Sequence, residues 1–237
     1  MENSRIAALL EPFLTGSLSP GQLAQISIYI DLLLRWNARM NLTAVRKPEE
    51  IVTRHFGESL FLARYLFPAE DSPPSSNSDL PSSNLMDSVL DIGSGAGFPA
   101  LPLKIWAKNI SLTMVESNHK KAAFLREAAR AMTLSNVTVI AERAETLMAR
   151  ADRPRTKVVT LRAVEHFDAI LSIAASFLLP GGTLAMLIGE NQTDSLSSQT
   201  TFAWRPPIRI PLSDRRILLL GTLMIKSGVT ALPSKPF

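Results

Sequence analysis

The chain has 237 residues, 46% hydrophobic and 19% charged, with a net charge of +4, enough for one substantial core and a small appendage. It contains no cysteine, which excludes a disulfide framework, cysteine-ligated zinc and a thiol nucleophile. The N-terminal segment shows no basic stretch leading into an apolar block and a small-residue cleavage site, and no apolar run of about eighteen residues occurs. A cytoplasmic protein with no membrane contact is therefore expected.

Residues 1–67 read as helical. Ser19-Pro20 pairs an N-cap with proline at the first helical position, and Leu23, Ile26, Ile30, Leu33 and Leu34 follow near helical spacing toward Met40. After the polar turn "RWNARMNLTAVRKPEE", Pro48-Glu49-Glu50 opens a second helix with acids in its first turn, running through Ile51, Val52, His55, Phe56 and Leu60 to Phe67. Helices this short bury little alone, so they are expected to form a small cap on the larger C-terminal part of the chain. Residues 68–87, rich in Ser, Pro and Asn, read as a linker or unstructured insert.

From Ser88 to the C-terminus, residue 237, short β-rich runs alternate with helical ones. Strands are expected at 88–92, 111–116, 136–141, 157–161 and 183–188, with helices near 99–108, 118–133, 144–150 and 164–179. This alternation implies right-handed βαβ units and a Rossmann-like α/β domain, its parallel sheet covered on both faces. Pro180-Gly181-Gly182 reads as a turn, and 206–226 as two further strands joined at Ser213-Asp214.

The stretch "VLDIGSGAGFPALP", Val89 to Pro102, carries the chemistry. In an open α/β sheet, ligands bind outside the carboxyl ends of the strands. Gly93, Gly95 and Gly97 let a ligand approach the main chain, and Pro99 and Pro102 fix a helix start near residue 99. Gly95 to Ala100 satisfies the dinucleotide pattern by letter, but Asp91 would repel a pyrophosphate and suits a cationic amino group. Glu116, ending the next strand, is placed to accept from ribose hydroxyls. Together they favour S-adenosylmethionine over NAD. Further strand ends present the Arg143-Ala144-Glu145 group and Arg162.

Charge is uneven. Twelve Lys/Arg face five Asp/Glu between Lys104 and Arg162. A basic region of this kind either reflects solvated helix faces or binds a phosphate backbone.

These residues resemble the GidB/RsmG family of methyltransferases, which methylate a guanine N7 in bacterial 16S ribosomal RNA. The resemblance runs through "RWNARMNLTAVRKPEEIVTRHFGESL", "VLDIGSGAGFPALPLKI", "VESNHKKAAFLREAARAMTLSNVTVIAERAE" and "VVTLRAV". It implies a small helical cap on a class I methyltransferase fold, a seven-stranded, mostly parallel sheet with an antiparallel C-terminal strand. It also implies S-adenosylmethionine contacts at Gly93, Phe98, Ala144, Glu145 and Arg162. A monomer acting on 16S rRNA or the small ribosomal subunit is expected. Arg162 and Arg143 are expected to hold the nucleotide beside the methyl group, and Asn41, His55, Lys120 and Lys121 to contact substrate. Lys104, Lys108, Arg150, Arg153 and Arg155, with Arg35, Arg39, Arg46 and Arg54 of the cap, are further candidates for phosphate contacts. His55 has a competing reading as a packing residue, and Asn41-Leu42-Thr43 as a helix-ending turn.

Four features depart from the family pattern: Lys157 replaces an acid, Ala100 replaces glycine, residues 68–88 form a long insert, and the polar 189–203 stretch replaces a packed helix. An NAD-dependent oxidoreductase, or an RNA-binding protein with a degenerate pocket, would be the alternatives. Guanine N7 carries a lone pair and no proton, so the implied reaction needs no general base. The absence of cysteine closes the covalent route to C5-methylated pyrimidines, and no Asp/Asn-Pro-Pro-aromatic motif for exocyclic amines occurs.

Overall fold

The protein is described by a computed structural model covering residues 1–68, 87–162, 167–193, 196 and 199–224. The expected insert lies almost wholly outside the described residues, as does the start of the expected helix at 164.

The N-terminal helices are α1 (Asn3–Leu10), α2 (Pro20–Asn37), α3 (Pro48–Glu50) and α4 (Glu58–Leu66). Ser19 caps α2 in a full capping box with Gln22, which satisfies donors that the first turn leaves open. Between α3 and α4 the chain does not hold the expected α-helix: Ile51–Gly57 is a π-helix. Such wide turns are rare and concentrate at functional sites.

The second half comprises β1 (Ser88–Ile92), α5 (Ala100–Trp106), β2 (Ser111–Val115), α6 (His119–Ala131), β3 (Val137–Ile140), α7 (Ala144–Met148), β4 (Thr156–Arg162), α8 (Phe167–Phe177), β5 (Leu178–Gly189), β6 (Phe202–Trp204), β7 (Ile208–Arg209) and β8 (Arg216–Leu223). The sheet order is β3-β2-β1-β4-β5-β8-β6, with β7 pairing β8 off that path. The neighbouring pairs from β3 to β5 are parallel, and β8 runs antiparallel to β5, β6 and β7. This matches the expected mostly parallel sheet with its antiparallel C-terminal strand, plus the two-residue β7. The order reverses between β1 and β4, which makes their carboxyl ends the switch point.

Three local departures have physical causes. Pro180-Gly181-Gly182 lies inside β5, where the register with β4 shifts between Thr156 and Val158; Gly181, at φ +73°, absorbs that bulge. The polar stretch after β5 forms a short 3-10 turn at Glu190–Gln192 and then β6, a strand the sequence reading missed. Three residues are too few for an alternation pattern to stand out.

Period-two alternation assigns each strand residue to a face. Leu90, Val159, Met186 and Leu219 join the core under α7 and α8, whereas Val89, Leu112, Val158, Leu187 and Leu218 join the one that runs into the cap. That second core also holds Ile6, Phe13, Ile30, Phe56 and Leu62, so cap and sheet share one apolar interior. Gly57 shows how tightly: a Cβ there would lie 2.6 Å from the Phe13 ring.

Gly57→Ala should therefore cost about 1–3 kcal/mol through overpacking. Gly16→Ala, with nothing within 4 Å of the added carbon, should leave thermal stability unchanged or slightly raised. Parallel thermal unfolding of the two variants checks this.

Candidate functional site

Alternation fixes the site's composition. Asp91 shares the face of Val89, Glu116 that of Leu112 and Met114, Thr160 and Arg162 that of Val158, and Arg216 that of Leu218. Each is at or near the end of its strand on the sheet's carboxyl edge, on the side that the cap covers.

The glycine loop follows β1, with Gly93, Gly95 and Gly97 at φ +69°, +54° and +84°, angles that favour glycine. Gly93 and Ser94 donate backbone N–H groups to the Val115 carbonyl at 2.9 and 3.1 Å, and Gly95 N–H donates to Glu116 Oε2 at 2.8 Å. Glu116 Oε1 accepts from Asn118 N–H at 2.8 Å. Each oxygen keeps a second lone pair for another donor, so loop bracing leaves capacity to bind a ligand.

Asp91 is 1% exposed. Its Oδ1 accepts from the Thr160 hydroxyl at 2.6 Å across the β1–β4 pair, while Oδ2 is buried with no hydrogen-bond partner among the described residues. Burial pushes the carboxyl up from 3.8 to about 6, against the lowering pull of the Thr160 and Ser94 hydroxyls. A buried carboxylate oxygen without a donor costs free energy until a hydrogen-bond donor meets it, and a cationic donor does so most strongly.

On the cap side, Arg162 Nη2 donates to the Arg54 carbonyl at 2.8 Å, to His55 Nδ1 at 3.1 Å and to Glu58 Oε2 at 3.0 Å. Its Nη1 is buried without a partner among the described residues, and burial lowers its pKa to about 10. Glu58 also pairs with Arg216 at 3.2 Å, through the same oxygen. A guanidinium only donates, so His55 Nδ1 is the acceptor and Nε2 carries the proton, facing Thr43 Oγ1 at 2.7 Å. Burial first, then the charges of Arg162, Arg54 and Arg216, lower the His55 pKa from 6.5 to about 3. The ring is neutral and stacks on Phe98 at 4.8 Å. Phe98 in turn stacks on Tyr29 at 5.2 Å and meets Phe56 edge-on.

Sequence-expected residues fall into two groups. Asp91, Gly93, Gly95, Gly97, Phe98, Glu116 and Arg162 surround the switch point. Arg143 does not join Arg162: it is exposed at the end of edge strand β3, with β2 and β1 intervening, a backbone separation of about 14 Å at ordinary strand spacing. Strand order thus sets the two arginines at strand ends three spacings apart. Ala144 and Glu145 open α7 beside Arg143. Lys120 and Lys121 stand in the first turn of α6, where Asn118 caps the helix, and Asn41 is exposed in the cap loop, accepting from Arg46 at 3.4 Å.

The single basic region is corrected. Lys104 is fully buried, its Nζ donating to the Lys108 and Ile110 carbonyls at 2.6 Å each. Arg153 and Arg155 donate to the Ser176 and Leu178 carbonyls, where α8 gives way to β5. Lys157 pairs with Asp87 at 3.1 Å beside the start of β1. All these, with Lys108, belong to the sheet's amino edge, and Arg150 folds back onto Glu142 and Asp152. The charge excess therefore divides between opposite edges.

Tyr29, Glu58, Thr160 and Arg216 were missed by sequence reasoning. Two of them had a signal: Thr160 lies two residues before Arg162 on the same face, and Glu58 is the acid of "RHFGES". Among the described residues, no group of three or more His, Asp or Glu could hold a metal ion, and no helix is long and apolar enough to cross a membrane.

A family model described as GidB, rRNA small subunit methyltransferase G, matches residues 22–204. The chain is similar to Ribosomal RNA small subunit methyltransferase G of Chloroflexus aggregans, 40% identical over 76% of this chain and 70% of that one. It is also similar to the protein of that name from Bacillus subtilis, at 29% identity over 96% and 95%. Among solved structures it resembles a ribosomal protein L11 methylase from Lactobacillus delbrueckii subsp. bulgaricus, with TM-score 0.54 at 13% identity over 73% of this chain and 79% of that one, a likeness of fold.

The raised Asp91 value fixes a sign. Folded Asp91 holds its proton more tightly than the unfolded chain does, so its contribution to stability is intact below pH 3.8 and lost as pH rises through about 6. Without ligand, Asp91→Asn should match wild type at pH 4 and exceed it at pH 8, by about 2–3 kcal/mol. Thermal or urea unfolding at both pH values checks this.

Proposed function

Since the chain belongs to the GidB family, rRNA small subunit methyltransferase G, we propose that its carboxyl-edge site binds S-adenosylmethionine through Asp91 and methylates N7 of a guanine in 16S ribosomal RNA. The observation that carries the cofactor assignment is Asp91 Oδ2, buried at the switch point and without a donor among the described residues. An ammonium group satisfies it, whereas a pyrophosphate would be repelled. Glu116 keeps lone pairs for ribose hydroxyls, the left-handed glycines clear the approach to the main chain, and Ala144 and Glu145, which open α7 after β3, would add further contacts to the cofactor. No observation favours the oxidoreductase or the degenerate-pocket reading. Of the two features that suggested the latter, Lys157 sits on the far edge, and the polar 189–203 stretch forms a 3-10 turn at Glu190–Gln192 and leads into β6.

When bound, S-adenosylmethionine supplies a sulfonium-activated methyl group that the N7 lone pair accepts with no proton to remove. The chain's task is then positioning and charge control, and positioning alone is worth up to about 7–11 kcal/mol in well-oriented systems. Arg162, held by Glu58, His55 and the Arg54 carbonyl, keeps Nη1 as the donor that orients the reactants. His55 stays neutral at working pH, which avoids a further cation beside a base that becomes cationic. Arg143 is assigned to the outer rim and not to the methyl group.

The RNA reaches this edge over a basic rim. Arg39, Arg46, Lys47 and Arg54 of the cap are exposed, as is Lys120, with Lys121 half-buried beside it. Lys120 and Lys121 follow His119 in the first turn of α6, which carries no acid. Cations there oppose the helix macrodipole, a local misfit that phosphate binding explains. Aromatic and guanidinium planes are what hold unstacked loop bases in RNA; whether naked rRNA or the assembled small subunit is recognised is decided in the same experiment.

Incubation with methyl-labelled cofactor and either naked 16S rRNA or small subunits lacking the modification, followed by mapping of the labelled base, tests the assignment. Label on a guanine N7 is expected, and label elsewhere, or none, overturns it. Arg162→Ala should reduce transfer at least about a hundredfold; intact transfer and intact S-adenosylhomocysteine binding would remove its role.

Reversing the charge of Lys120 and Lys121 should weaken RNA binding and flatten its dependence on salt, by about one unit of slope per lost phosphate contact. The same change at Lys108, on the amino edge, should do neither. Filter binding across a salt series separates the two.

A further inference from the structure

The cap and the glycine loop meet at one side chain. Tyr29, in the middle of α2, is fully buried, and its hydroxyl donates to the Ala96 carbonyl, inside the loop between Gly95 and Gly97. Its ring lies nearly parallel to Phe98, 5.2 Å away at 12°. The loop is shaped around this hydroxyl. A Cβ on Gly97 would come within 2.6 Å of Tyr29 Oη and 2.7 Å of Leu101 Cδ1, and Gly97 also needs φ +84°. Burial raises the phenol's pKa well above 10.0, with the charge of Asp91 adding to the effect, so it remains a donor throughout the working range.

A loop with three left-handed glycines has many accessible backbone states, and its conformation must be fixed from outside. On the sheet side, the Val115 carbonyl and Glu116 hold residues 93–95. On the cap side, Tyr29 holds residue 96 and packs against residue 98. We infer that Tyr29 is a positioning residue for the cofactor: a cap side chain that touches no reacting atom but fixes the Gly95–Phe98 segment in its binding-competent shape. The helical cap is then part of the cofactor site and not only an RNA platform. This rests on the cofactor reading given above.

Tyr29→Phe keeps the ring stack and removes the hydroxyl. In the full chain, calorimetric titration with S-adenosylhomocysteine should show affinity reduced about three- to tenfold, the range for one buried hydrogen bond. The KM for S-adenosylmethionine should rise by a similar factor, while the KM for small ribosomal subunits and kcat stay at wild-type values. Tyr65→Phe, a partly exposed cap tyrosine, should leave all of these unchanged. Unfolding with and without S-adenosylhomocysteine distinguishes a merely structural role, which lowers both midpoints equally, from positioning, which shrinks the ligand-induced shift. Unaltered affinity and an unaltered shift in Tyr29→Phe would overturn the inference. Wild-type protein that fails to bind S-adenosylhomocysteine would instead overturn the cofactor assignment beneath it.

Discussion

The alternation of side chains along each strand is the constraint on which the site depends. Because Leu112, Val158, Leu187 and Leu218 must enter the core that the cap completes, the residues an even number of positions along, Glu116, Thr160, Arg162 and Arg216, emerge on that same side; Val89 places Asp91 there in the same way. A register slip of one residue in β4 would send Arg162 to the α8 side and Val159 into the cap. Hydrophobic burial thus delivers the polar groups to their places, and no separate device is required to gather them.

Glu58 then converts proximity into a joint. It brings one carboxylate to two guanidiniums from strands separated by β5. Buried charge pairs seldom add much net stability, since desolvation offsets their attraction, but losing one partner leaves the other unpaired and costly. Such a joint is best regarded as a specifier of geometry. It sets the angle at which the cap meets the sheet, and with it the positions of His55, Phe98 and Arg162.

Much of this was legible in the sequence because it depended on short-range chemistry. Ser19, Pro20 and Gln22 announce the start of α2, and Asp91 with the three glycines marks the first strand end and its loop. What escaped were consequences of long-range placement. Strand order, which separates Arg143 from Arg162, is absent from a linear pattern. Lys104 looks like any surface lysine until the chain folds its ammonium onto two carbonyls beyond the end of α5. Tyr29 reads as one more apolar helix position, because its partner lies 67 residues away. The basic count was correct, but topology distributed it over two edges.

The π-helical stretch Ile51–Gly57 has a consequence for the phase of the cap. Its wider winding fixes the angular offset between α3 on one side and α4 on the other. Ordinary winding over the same seven residues would swing α4 by about 100° around the helix axis, carrying Glu58 away from both arginines and Phe61 out of the interior. The segment therefore acts as an angular spacer, whose residue count matters as much as its chemistry.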